Sequence, residues 1–398
     1  MDSTRFNLQA TIARSKRAGI YLHIPYCRQL CYYCDFHFSL SPQDKDELIT
    51  AMTREIALRK DYLNRQATDV RTIYFGGGTP SVLTLADIRR ILDEIMSVFS
   101  VSTDAEITLE ANPDDLGDDL SPAYLFGLRD LGINRLSIGV QSFHDHELKA
   151  MNRLHDAREA VRSVEEVLRC GFENVTLDLI YGLPNSTLES WSHSLETALA
   201  LSPPHLSCYH LTFEEKTAFA NFRKKGKLHE VSDAISWAQY QRLCDRMGEA
   251  GYEHYEISNF ARKGWQSRHN HAYWIGIPYL GIGPAAHSFD GESRQWNIAN
   301  NRKYREAISR GTVFYEKEIL SDKDRFHDYL LTRLRTAKGI DLRYLKNNFP
   351  TFYPDFYREF ARYLDTDLLE GKGNRYRLTE KGMFQSDVII GDLFVDSG

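Results

Sequence analysis

The stretch Tyr21-Leu22-His23-Ile24-Pro25-Tyr26-Cys27-Arg28-Gln29-Leu30-Cys31-Tyr32-Tyr33-Cys34-Asp35-Phe36 decides how this chain is read. GIYLHI (19–24) has the apolar run of a first strand, and the cysteines follow on the loop at its C-terminal end. Three thiolates, with three and then two residues between them, can wrap one face of a compact metal centre, because iron–sulfur clusters take soft sulfur ligands. Zinc is the chemical rival, but it takes four ligands and would need His23 or His37 to complete the set. A cubane held by Cys27, Cys31 and Cys34 leaves one iron open, which is a reactive position. The other cysteines, Cys170, Cys208 and Cys244, are scattered through helix-like and strand-like stretches and read as small buried hydrophobes.

Outward from this loop, the first half of the chain alternates short apolar runs with amphipathic ones. TIYF (72–75), AEITLEA (105–111), RLSIGV (135–140), NVTLDLIYG (174–182) and HLSCYHLT (205–212) read as strands, with helix-period segments between them. Such alternation implies βαβ units with parallel pairing. Six of them predict an α/β fold, a partial (β/α)6 barrel, with a flat doubly wound sheet as the alternative that periodicity does not exclude. In a barrel the cysteine loop lies on the face where active sites are built. Gly76-Gly77-Gly78-Thr79-Pro80 follows the second strand at the same end, where glycines let backbone N–H groups approach a ligand. Glu110, Gln141 and Asp178 recur at the ends of later strands, and Arg153 lies further along. After about residue 213 the pattern changes, and from about 320 a helix–helix–strand order predicts a helical, winged-helix-like domain. The expected division is a lead-in over 1–17, a barrel over 18–215, an α/β extension over 216–318 and the C-terminal domain over 319–398.

Composition narrows the function classes. The 398 residues carry a formal net charge of −6, and the C-terminal segment has no basic stripe, which argues against nucleic acid. No apolar run approaches the roughly 20 residues of a membrane helix and no signal peptide is visible, so the expected location is cytoplasmic, without a disulfide framework. The 22 Tyr, 21 Phe and 5 Trp read first as packing, and secondly as what a large planar ligand needs in a pocket.

CxxxCxxC after a first strand resembles the signature of the radical SAM superfamily, and GGGTP matches that superfamily's stretch contacting the amino group of S-adenosylmethionine. The resemblance implies that the open iron is chelated by that cofactor, whose sulfonium carbon–sulfur bond is broken by an electron from the reduced cluster. YLHIPYC, GGGTP, LEANPDD, RLSIGVQSF, LDLIYGLP, HNHAYW and LGIGPAAHS further resemble the oxygen-independent coproporphyrinogen III oxidase-like group, most of all its HemW-type haem chaperone branch, over roughly residues 18–395. In that group the positions matching Tyr21, Tyr33, Gly77, Gly78, Thr79, Glu110, Gln141, Arg153 and Asp178 line S-adenosylmethionine sites.

Two departures separate the chain from true oxidases: Phe36 stands where they carry a further cysteine, and about 18 residues precede the first strand where they have a longer extension. The resemblance therefore implies a chaperone that binds haem, a [4Fe–4S] cluster and S-adenosylmethionine and passes haem to acceptor proteins. A flavodoxin or ferredoxin would be the electron donor, and a homodimer is left open. The alternatives are a coproporphyrinogen III dehydrogenase or another radical SAM enzyme acting on a tetrapyrrole. Arg268-His269-Asn270-His271-Ala272-Tyr273-Trp274 matches the branch's HNxxYW stretch, with Ser267 where many members have cysteine. His269 is the candidate haem ligand, with His287 and His210 as competitors and a hydrogen-bonding role in a loop as the plainer reading.

Overall fold

A computed structural model describes residues 17–64, 69–116 and 121–395; the expected lead-in falls, apart from Arg17, outside them. Six parallel strands run in chain order: β1 (Arg17–Ile24), β2 (Asp69–Gly77), β3 (Val101–Ala111), β4 (Arg135–Gln141), β5 (Val175–Tyr181) and β6 (His205–His210). They are apolar almost throughout, as strands covered on both faces must be; all of RLSIGVQ except its final glutamine is buried. The helices between them begin where the sequence supplies caps. Capping boxes are present at Thr84 with Asp87, Asp156 with Glu159, and Thr187 with Ser190.

Successive helices lean on one another along the outer face of the sheet: Lys45–Leu58 on Leu85–Val98, that helix on Ser121–Asp130, and that one on Ala157–Arg169. The other face of β1 to β5 turns inward, where polar side chains of different strands meet. This is the partial barrel.

The segment expected as a separate extension continues the same sheet at both edges. β7 (Glu253–Glu256) and β8 (Asn259–Ala261) add to β6, with β8 antiparallel to it. On the other side β9 (Tyr279–Ile282) pairs parallel with β1, followed by β10 (His287–Phe289), β11 (Ser293–Asn297) and β12 (Tyr315–Ile319), for a twelve-stranded order. The HNxxYW stretch is the helix Arg268–Trp274, not a loop. The C-terminal domain has its own three-stranded sheet, β13 (Ile340–Asp341), β15 (Arg375–Leu378) and β14 (Leu369–Lys372), with the helices Asp322–Leu334, Leu342–Asn348, Tyr353–Phe360 and Ser386–Asp392. Among the described residues no helix is long and apolar enough to cross a membrane.

Candidate functional site

Register sets the level of the site. Ile24, the last residue of β1, lies opposite Gly77 of β2, so the cysteine and glycine loops leave neighbouring strands side by side. The N–H groups of Gly78 and Thr79 donate to the carbonyls of Ile24 and Tyr26, both at 2.8 Å, tying the glycine loop to the stem of the cysteine loop. The approach is close enough to demand glycine. A Cβ on Gly78 would sit 2.7 Å from the Tyr26 carbonyl oxygen and 3.0 Å from Cys27 Sγ. Gly77 has φ +110°, a conformation side chains rarely adopt.

The cysteine loop is also braced from the far side. Asn152, itself at φ 61°, donates through Nδ2 to the Leu30 carbonyl (2.6 Å), and its own carbonyl accepts from Gln29 Nε2 (2.8 Å). Arg153 donates through Nη1 to Cys31 Sγ (3.3 Å), and through Nη2 to Asn112 Oδ1 (2.6 Å) and the Gly139 carbonyl (2.7 Å). Its Nε is buried without a partner. Asn112 donates in turn to Thr79 Oγ1 (3.2 Å), linking arginine and glycine loop.

Burial raises the Cys27 thiol and pushes Cys34 up to about 11, so iron must displace protons to bind there. The adjacent guanidinium favours that exchange. No group of three or more His, Cys, Asp or Glu among the described residues closes round a point as a single ion needs. The donor set is three soft thiolates on one loop, which is what an iron–sulfur cluster takes, whereas a structural zinc needs a fourth ligand.

Two carboxylates lie deeper. Glu110 accepts from the Tyr74 hydroxyl (2.7 Å) and the Gly77 N–H (3.2 Å), and burial raises it above the usual carboxylate range. Asp178 is pushed up to about 8, first by burial and then by Glu110, and accepts from Ser137 Oγ at 3.3 Å. Asp178 is therefore protonated at neutral pH unless a cation arrives.

These groups open into one cavity of about 1010 Å³. Its wall includes the three cysteines and Tyr33, the stretch Gly77 to Thr79, and Glu110, Gln141, Arg153 and Asp178. Met383, Phe384 and Asp387 of the C-terminal domain face the cavity as well. Two expected site residues are not in its lining. Tyr21 lies beneath the glycine loop, stacked on Tyr74 at 6.1 Å, with its hydroxyl 3.2 Å from His23 Nδ1. His269 is 2% exposed, and both ring nitrogens are engaged, Nδ1 with Thr72 Oγ1 (2.8 Å) and Nε2 with the Tyr273 hydroxyl (2.7 Å). His269, the expected haem ligand, thus lies outside the cavity lining, with each ring nitrogen beside a hydroxyl. Sequence reasoning missed Asn112, Asn152 and Ser137. LEANP and MNR sit beside residues already singled out, but a side chain that positions others has no spacing signature.

Comparison with known proteins agrees with this geometry. The model of the Radical SAM superfamily matches residues 21–198, and that of the HemN C-terminal domain matches 320–384. The Heme chaperone HemW of Bacillus subtilis (strain 168) is 32% identical over 378 residues, 93% of this chain and 97% of that protein. The Heme chaperone HemW of Escherichia coli (strain K12) is 37% identical over 271 residues, 68% of this chain and 69% of that protein. Among solved structures, coproporphyrinogen III oxidase (HemN) from Escherichia coli, described as a radical SAM enzyme, superposes with a TM-score of 0.80 at 25% identity, covering 99% of this chain and 94% of that one. The chain belongs to the radical SAM superfamily and, within it, to the HemW family.

Proposed function

We propose that this protein is a haem chaperone that holds a [4Fe–4S] cluster and S-adenosylmethionine in the barrel-top cavity and passes haem to acceptor proteins. The observation that carries the reading is the shared cavity: three thiols, a glycine loop and an apolar roof face one space. At about 1010 Å³ it stands at the upper end of the roughly 300–1,000 Å³ usual for ligand pockets, room for more than one small molecule.

Cys27, Cys31 and Cys34 would hold the cluster, and Gly77, Gly78 and Thr79 would bind the methionine end of the cofactor. When bound, the pair supplies one-electron chemistry at an open iron, with a flavodoxin or ferredoxin as donor. Arg153 balances charge beside the thiolates. Glu110 fixes the Gly77 amide, and Asp178 and Gln141 supply polar contacts for the adenosyl half, as does Tyr33 from the cysteine loop, while Tyr21 supports the glycine loop from below through Tyr74.

Haem would enter between the cysteine loop and the C-terminal domain, where Phe36, Phe38, Met383 and Phe384 offer apolar surface. His210 is the one imidazole lining this cavity among the described residues. Its Nε2 meets only a rotatable hydroxyl, Ser236 Oγ, at 2.9 Å, and burial lowers its pKa, which favours the neutral, ligating form. The same reading divides the chain into a cofactor-holding barrel (18–215), an extension sealing its edges and floor (216–318) and a roof (319–398).

The second reading, a coproporphyrinogen III dehydrogenase, draws on the close superposition with HemN. Phe36, 64% exposed where oxidases carry a further cysteine, favours the chaperone. Anaerobic incubation of the reconstituted protein with coproporphyrinogen III and a reductant, alongside a haem titration, tests the choice. Stoichiometric haem without protoporphyrinogen IX supports the chaperone, and robust product formation defeats it. His210→Ala is expected to shift the Soret band and weaken haem binding.

A further inference from the structure

The helix Arg268–Trp274 forms the floor of the barrel, and its contacts lead upward to the glycine loop. Its first turn is held by β3: Glu106 accepts the N–H groups of Arg268 and His269, each at 3.1 Å. Ser267, fully buried, caps the same turn by accepting from the Asn270 N–H at 3.3 Å. His269 then presses on β1 so closely that a Cβ on Gly19 would lie 3.2 Å from its Cε1. One ring face is covered by Tyr74, with centroids 4.9 Å apart and planes at 26°, and Tyr273 meets the ring edge-on at 4.9 Å.

Tyr74 carries the contact to the top. It lies two residues after Thr72 on β2, so both side chains point into the barrel. Thr72 binds His269 Nδ1, and the Tyr74 hydroxyl donates to Glu110, whose other oxygen accepts the Gly77 N–H. Tyr21 stacks on the same Tyr74 ring. The path from floor helix to glycine loop is thus a continuous column of packed rings and hydrogen bonds.

From this geometry we infer that the HNxxYW helix is a plug beneath the S-adenosylmethionine site, and that His269 is a positioning residue which sets the Gly77 amide through Tyr74 and Glu110, without contacting haem. This rests on the cofactor assignment proposed above. Haem could reach the imidazole only by stripping Tyr74 or Tyr273 from it and breaking one of its two hydrogen bonds.

The test uses reconstituted full-length protein and reads two affinities in each variant: S-adenosylmethionine by calorimetry, and haem by Soret titration. Wild-type protein that bound no S-adenosylmethionine would break the underlying assignment, and that is seen before any variant is made. Thr72→Val and Tyr273→Phe each remove one partner of His269 with almost no change of shape, so they fold even where His269→Ala fails to. Each is expected to weaken S-adenosylmethionine three- to tenfold, and to diminish the change that the cofactor causes in the EPR spectrum of the reduced cluster. Haem affinity and Soret position should stay as in the wild type. Because the path runs through Tyr74, Thr72→Val should add little to Tyr74→Phe, a non-additivity that general loosening of the fold would not produce. A shifted Soret band or lost haem in either floor variant overturns the inference. So does S-adenosylmethionine affinity within twofold of wild type in both, or full additivity with Tyr74→Phe.

Discussion

The top and the floor of this barrel both gather polar side chains and do opposite things. At the top, thiols, an arginine with a partnerless buried Nε and a carboxyl group raised to about 8 surround open space. At the floor, Glu106, Thr72, His269 and Tyr273 satisfy one another in a closed set. Buried polar groups are costly unless paired. At the top the polar groups line open space, whereas at the floor His269 and its partners face one another. The histidine that a motif singles out belongs to the closed set.

Four sets of substitutions would break or sharpen that contrast. The largest effect is expected from Cys27→Ala, Cys31→Ala or Cys34→Ala, each abolishing iron and sulfide binding, whereas the same change at Cys170, Cys208 or Cys244 leaves the metal content intact. Elemental analysis of anaerobically reconstituted protein decides this. Gly78→Ala comes next. Its Cβ would strike the Tyr26 carbonyl and crowd Cys27 Sγ, so even this small change should cost more than tenfold in S-adenosylmethionine affinity and also loosen the cluster, read by calorimetry and iron release.

On the floor, Glu106→Gln replaces a buried carboxylate that accepts two helix N–H groups and lies 4.0 Å from Arg135 Nε. It should lower unfolding free energy by about 1–3 kcal/mol in denaturant titrations while iron content is unchanged. A pH dependence completes the set. Because the folded protein holds a proton on Asp178 up to about pH 8 while the unfolded chain loses it near 4, this group lowers stability as pH rises between those values. Asp178→Asn removes the penalty, so cofactor-free variant protein should melt above the wild type at pH 8 and level with it at pH 4.

How much of this was legible in the sequence follows the same division. The six barrel strands could be read because buried parallel strands are short apolar runs between capped helices. Cys27, Cys31, Cys34 and the glycine loop could be read because their spacing is itself the chemistry. β7 to β12 are short, and their pairing brings β8 to β6 across more than fifty positions and β9 to β1 across more than two hundred, as Tyr21 lies opposite Gly281. The surroundings of His269 could not be read, because a histidine's partners are set by the fold, and Thr72 lies 197 positions away. Asn112 and Asn152 escaped for the same reason: each acts by tying together loops that only folding brings together.

The central claim is that three thiolates hold a cluster whose remaining iron is open to S-adenosylmethionine. The most direct measurement is the EPR spectrum of the anaerobically reconstituted and reduced wild-type protein, recorded with and without S-adenosylmethionine, beside its iron, sulfide and zinc content. The account predicts about four irons and four sulfides per chain, the composition of the cluster, and a spectrum that changes when S-adenosylmethionine is added. Stoichiometric zinc, or a cluster signal that S-adenosylmethionine leaves unaltered, would contradict it.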